Sequence, residues 1–219
     1  SARDTFHLLY DKGISMRPKN FAVGVRIEHP RSMIDWNQYG KFSKVLGAAS
    51  YKLTHTTSSG RGVYSFCMCP GGEVVAASSE QHRLVVNGMS NYARNGRNAN
   101  SALLVGVSAA ELQDSHPLAG MRFQQKLEEA AFQAGGGNYY APVCCVGDFL
   151  QKHAATGCGK IEPTYQPGVN WISPDEYLPA FVAETLRLGI PAMNRKIHGF
   201  AETDAVLTGV ESRSSSPVR

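Results

Sequence analysis

A chain of 219 residues with 42% hydrophobic and 18% charged residues can bury a sizeable core, and it carries no block of like charge that would mark a disordered tail. Its net charge of +4 comes from scattered basic residues, and stacking aromatics are not interleaved with a basic stripe, which disfavours a nucleic-acid surface. No apolar run approaches the roughly 18 residues needed to span a bilayer, and the five cysteines, an odd number, disfavour a secreted disulfide framework and favour a reducing cytoplasm. No membrane partner is expected. The chain opens at Ser1 without Met or a signal pattern, so its true N-terminus stays open.

Residues 1–10 suit a short amphipathic helix with Phe6, Leu9 and Tyr10 on one face, capped by Ser1 or Asp4 and ended by Gly13. Phe21, Val23, Val25 and Ile27 then alternate with small or charged residues and predict a strand that stops at Pro30. Residues 33–42 read as a loop or short helix, and residues 51–57 alternate again with Tyr51, Leu53 and His55 on one side. The stretch 62–69 places Val63, Ser65, Cys67 and Cys69 on one side and Tyr64, Phe66 and Met68 on the other, the period of a strand with two unlike faces. Pro70 and Gly71 occupy the central positions of a type II turn, because Pro presets a negative φ and Gly tolerates a positive one. The chain is expected to run back over residues 73–77 and again over 83–89 as an antiparallel meander.

Residues 91–100 are polar and aperiodic and predict an exposed loop, after which residues 101–107 resume as a strand. Pro117 suits a first helical position, and Phe123, Leu127, Ala130, Ala131 and Ala134 form one apolar stripe that Gly135, Gly136 and Gly137 end. Residues 141–146 read as a short strand and 153–174 as mostly loop. Ser173 and Glu176 have capping-box spacing, Pro179 forces a break, and residues 181–188 give a second stripe before Gly189, with a further turn after Pro191. Residues 204–211 close as a strand. Strands in a run, then helices, then a last strand predict an α+β fold with a mainly antiparallel sheet.

Several of these stretches carry a family resemblance. YSFCMCPGG, VVAASSE, VVNGMS, NANSALLVGV and GVESRSSSPVR together resemble the interior of the uncharacterised bacterial FAD-dependent dehydrogenases. SARDTF resembles the point where that family's chain leaves its flavin-binding domain, and SSPVR the point where it returns. The sequence lacks a strand-linked G-x-G-x-x-G, the turn that cradles a pyrophosphate in dinucleotide folds. The resemblance therefore implies a single inserted substrate or cap domain over residues 1–219, with a β-rich part at about 15–110, a helix-rich part at about 111–203 and a return strand at 204–219.

Three constellations could carry chemistry. Cys67 and Cys69, with Cys144, Cys145 and Cys158, fit no zinc spacing and read first as small buried hydrophobes, with a redox pair or metal site as alternatives. Cys67 and Cys69 are expected reduced and without metal, at least one packed against the core. None of the seven histidines belongs to a motif of defined spacing; His55, beside the meander, is the candidate proton donor or acceptor. The third is bare backbone at Pro70, Gly71, Gly72, Asn87 and Gly88 and in the serine run, read either as turn formers or as places where a planar ring lies against free N–H groups.

The resemblance implies FAD in the full-length protein and its flavin-binding domain as partner. Pro70, Gly71, Gly72, Arg213, Ser215, Ser216 and Arg219 are the implied flavin-contacting residues, on a concave patch left exposed in this chain. Alone, the chain is expected to be inactive and to bind FAD weakly or not at all. Its two ends should emerge on one side of the fold. The alternative function is a non-catalytic module whose sheet face recognises RNA or a protein partner.

Overall fold

The computed structural model describes residues 2–112, 114–157 and 159–219. In chain order the elements are α1 (Ala2–Asp11), β1 (Phe21–Pro30), α2 (Arg31–Tyr39), β2 (Thr54–Thr56), β3 (Gly62–Cys69), β4 (Gly72–Ala76), β5 (Val86–Ser90) and β6 (Asn98–Val107). They continue with α3 (Ala119–Ala134), β7 (Ala141–Cys145), α4 (Val146–Gln151), β8 (Val169–Trp171), α5 (Ala180–Asn194) and β9 (Val206–Glu211). Seven strands form one sheet in the order β2-β3-β6-β1-β9-β7-β8, antiparallel throughout except for the β7–β8 pair. The α+β class with a mainly antiparallel sheet is what the strand and helix patterns predict.

The two faces of the sheet follow from the period of its strands. Val23 lies opposite Val105, which lies opposite Val63, so the three share a face. That face meets α5: a Cβ added to Gly189 would stand 2.4 Å from Val63 Cγ1. Val182, Leu186 and Ile190 of α5 are buried there with Val25, Ile27 and Leu103, and each such side chain contributes about 1.5–3 kcal/mol through its removal from water. Arg26, three residues beyond Val23, points the other way, and its Nη2 donates to Asn87 Oδ1 of β5 at 2.7 Å. The β4–β5 ribbon therefore covers the opposite face.

Burial on both faces explains why β1 carries Arg26, Glu28 and His29 inside the protein alongside its valines. The Arg26 guanidinium bonds Glu211, donates to Asn100 Oδ1 at 3.0 Å and holds the Cys67 carbonyl at 2.8 Å. Glu28 accepts from Asn98 at 3.0 Å and from Thr164 Oγ1 at 2.7 Å. Burial pushes the carboxyls of Glu28 and Glu211 above the ordinary carboxylate range, although their hydrogen bonds and Arg26 pull the other way.

Four local expectations are corrected. Among the described residues no three-stranded meander forms: β4 pairs with β5 in a separate two-stranded sheet, while β3 pairs with β2 and β6. The register of β3 on β6 breaks between Phe66 and Cys69, with Cys67 at φ 45°, so the alternation fails there: Cys67 is exposed whereas Cys69 is buried. Gly189 does not end a helix, because α5 runs on through Pro191 to Asn194 and uses the missing side chain to approach β3. Finally, α3 begins at Ala119, two residues after Pro117.

Candidate functional site

The segment after α1 pairs with the last residues of the chain; Ser1 itself lies outside the described residues. Pro18 and Val218 form an antiparallel bridge, Arg17 N–H donates to the Arg219 carbonyl at 2.8 Å, and Arg219 N–H donates back at 3.1 Å. Lys19 N–H adds a bond of 2.9 Å to the Pro217 carbonyl. Beside this junction, Arg3 and Phe6 of α1, Gln124 of α3, and Arg213, Ser215, Ser216 and Pro217 line a hollow of about 230 Å³.

Two of its lining residues, Arg3 and Arg213, belong to an ion-pair network centred on Glu128, which is fully buried on α3. Arg3 reaches both Glu128 oxygens, at 2.8 and 2.7 Å, Arg213 donates from Nε at 3.1 Å and from Nη2 at 2.8 Å, and Ser212 Oγ donates as well. Arg3 and Arg213 both pair with Glu80 too, which Arg83 approaches at 2.9 Å. Burial works to raise the Glu128 carboxyl, but the hydrogen bonds from Arg3, Arg213 and Ser212 outweigh it and hold the pKa below the ordinary range. Bidentate guanidinium–carboxylate geometry fixes orientation as well as charge, so the network ties α1 and the segment after β9 to α3.

Sequence reasoning singled out Arg213, Ser215 and Ser216 but missed Arg3, Gln124 and Glu128. One signal was available: Gln124 and Glu128 are four apart and each follows a member of the apolar stripe, so both lie on the edge of the buried face. Ser215 and Ser216 are exposed, Arg213 is half-buried, and Arg219 is exposed beyond the junction.

The other expected site residues lie elsewhere. Pro70, Gly71 and Gly72 are buried, and the close approach they permit is internal: a Cβ on Gly71 would stand 1.9 Å from the Arg94 carbonyl oxygen, and one on Gly72 2.4 Å from that of Met89. They are not brought to the hollow at the junction. His55 lies half-buried on β2 opposite Val63, on the face that α5 covers. Cys69 donates from Sγ to the Cys67 carbonyl at 3.4 Å, and both thiols are free. Burial pushes the Cys144 thiol up to about 12. Cys158 lies outside the described residues. Among the described residues no group of three His, Cys, Asp or Glu side chains is placed to hold a metal ion.

The fit of these residues to FAD is partial. A hollow of about 230 Å³ is smaller than the roughly 300–1,000 Å³ of a pocket that encloses a drug-sized ligand, and the glycines that could cradle a pyrophosphate are filled by the chain's own carbonyls. What the junction offers is an edge: the exposed serines and a guanidinium already neutralised by Glu128. Among the described residues no helix is long and apolar enough to cross a membrane.

Comparison with known proteins agrees with the sequence resemblance in its coarser part. An uncharacterized protein of Clostridium beijerinckii (strain ATCC 51743 / NCIMB 8052) is 52% identical over 222 residues, an alignment that takes in 100% of this chain. The chain spans 42% of that relative's length. The family model described as FAD-dependent protein, C-terminal domain-like, matches residues 20–214, and the chain belongs to that family.

Proposed function

We propose that the chain is the substrate-binding or cap domain of a larger FAD-dependent oxidoreductase, a dehydrogenase, inserted into the flavin-binding domain and inactive without it. The observation that carries this reading is the pairing of residues 17–19 with 217–219, since a domain inserted into a host leaves it and returns at neighbouring points. The face around that junction is then the one turned toward the flavin. FAD, held by the partner domain, supplies the redox chemistry there. On this chain, Arg3 and Arg213 fix the entry and exit segments through Glu128, Ser215 and Ser216 present hydroxyls, and Arg219 presents a cation. Family membership supports the flavoprotein context, and the share of the relative that the chain spans supports a domain within a longer chain.

The test uses the full-length flavoprotein. Ser215→Trp should fill the hollow and weaken FAD retention about tenfold, which corresponds to about 1.4 kcal/mol of binding. The same substitution in the isolated chain should leave its melting temperature unchanged, because Ser215 is exposed. Unchanged FAD affinity in the full-length variant would contradict the proposed orientation.

A further inference from the structure

We propose a second ligand site, at the opposite end of β1 from the joined ends, for a planar phosphorylated compound of the nucleoside-diphosphate class. The ten residues of β1 separate the two places by roughly 30 Å, at about 3.3 Å per residue. There, a hollow of about 550 Å³ is lined by Arg31, Ser32 and Trp36 of α2, by Lys44, and by Arg94 from the loop after β5. The volume lies within the range of small-molecule pockets.

Its charge is one-sided. Asp35 also lines the hollow, but its carboxylate is committed inside the protein: Oδ1 accepts the Ala49 N–H at 2.7 Å and Oδ2 faces Arg31 Nε at 3.4 Å. Among the described residues the side chains of Lys44 and Arg94, both lining residues of the hollow, make no hydrogen bond or ion pair, so neither cation is neutralised by a protein carboxylate. Trp36 is 63% exposed, an indole face available to a ring system. A phosphate satisfies the cations and a planar base covers the indole. A neutral planar molecule leaves the cations unpaired, and a bare phosphate leaves the indole in water.

The loop that supplies Arg94 is held in place before any ligand arrives. Arg94 sits at φ 50°, its carbonyl accepts from Arg31 Nη1 at 3.1 Å and packs over Gly71, and Gly96 N–H donates to the Gly71 carbonyl at 3.1 Å. The buried turn at Pro70, Gly71 and Gly72 thus serves as the platform on which this cation is mounted. With the Arg94 backbone fixed, only its side chain has to be ordered on binding.

The measurement is Trp36 fluorescence during titration of the chain with adenosine diphosphate, adenosine and inorganic phosphate at low ionic strength, with Trp36→Phe separating the signal from Trp171. Adenosine diphosphate should quench Trp36 saturably. Lys44→Glu and Arg94→Gln should each weaken it about tenfold, the loss expected when a charge-assisted phosphate contact is removed. Adenosine and inorganic phosphate should each bind at least about tenfold more weakly, lacking one of the two contacts. The site is refuted by absence of quenching, by adenosine or phosphate matching the diphosphate, or by charge variants that bind as the wild type does. Capture by phosphatidylglycerol vesicles with no response to adenosine diphosphate would also refute it, in favour of a membrane-docking surface.

Discussion

Arg17 and Arg219 exchange both of their backbone hydrogen bonds, at 2.8 and 3.1 Å, across 202 positions of sequence, the difference of their residue numbers. This pairing holds the segment between α1 and β1 against the last residues of the chain. Directly beside it, Arg3 and Arg213 share one buried carboxylate, so main-chain and side-chain contacts tie the same two segments together.

Glu128 is the residue on which that tie depends. Glu128→Gln should cost about 3 kcal/mol, because two guanidinium groups lose the charge that balances them in a buried setting. Denaturant unfolding reads the change directly, and a loss below about 1 kcal/mol would mean that water or Glu80 compensates.

The pH dependence follows from the sign of the shift. The Glu128 pKa is depressed in the folded state, so its contribution is complete above the ordinary value of 4.5 and is lost as pH falls through the folded value. Glu28 and Glu211 act in reverse: their raised pKa values mean that the folded state takes up protons as pH falls toward 4.5. The difference between wild type and Glu128→Gln isolates the first effect. That difference should shrink steadily below pH 4.5, and a difference independent of pH would contradict the assignment.

Gly189 should resist substitution although it lies within a helix. Alanine gains up to about 1 kcal/mol of helix propensity, yet its Cβ would overlap Val63 Cγ1 at 2.4 Å, and overpacking costs about 1–3 kcal/mol. Gly189→Ala should therefore destabilise, and Val63→Ala introduced with it should recover part of the loss. A stabilised single variant would show that α5 can retreat from the sheet.

The thiols should separate by reactivity. Cys67 is exposed on its bulge, whereas Cys69 and Cys144 are buried and burial raises both of their pKa values. Alkylation of the native chain, followed by peptide mapping, should modify Cys67 at least about a hundredfold faster than Cys144. Comparable rates would place Cys144 within reach of solvent.

What the sequence reveals is governed by range. Val23, Val25 and Ile27 alternate locally, and their burial was legible because a strand's period depends on neighbours two residues away. Arg26 and Glu28 looked like the solvent side of the same strand, because the groups that satisfy them, Glu211 and Thr164, lie 185 and 136 residues on. Gly189 carried the pattern of a helix stop, since its packing role depends on Val63 from another element. The same limit applied at the junction. The family resemblance pointed to the serine run and Arg213, whereas for Glu128 the sequence offers only its spacing from Gln124, and its partners Arg3 and Arg213 come together only when α1, α3 and the end of β9 are assembled.

Hydrogen exchange, compared between the isolated chain and the full-length flavoprotein, tests the central claim most directly. If the joined-end face meets the flavin-binding domain, backbone amides in residues 3–6 and 213–219 should exchange more slowly in the full-length protein, while those of the loop at residues 91–96 keep their rates. Unchanged exchange at residues 213–219, with protection gained elsewhere on the surface, would contradict the account.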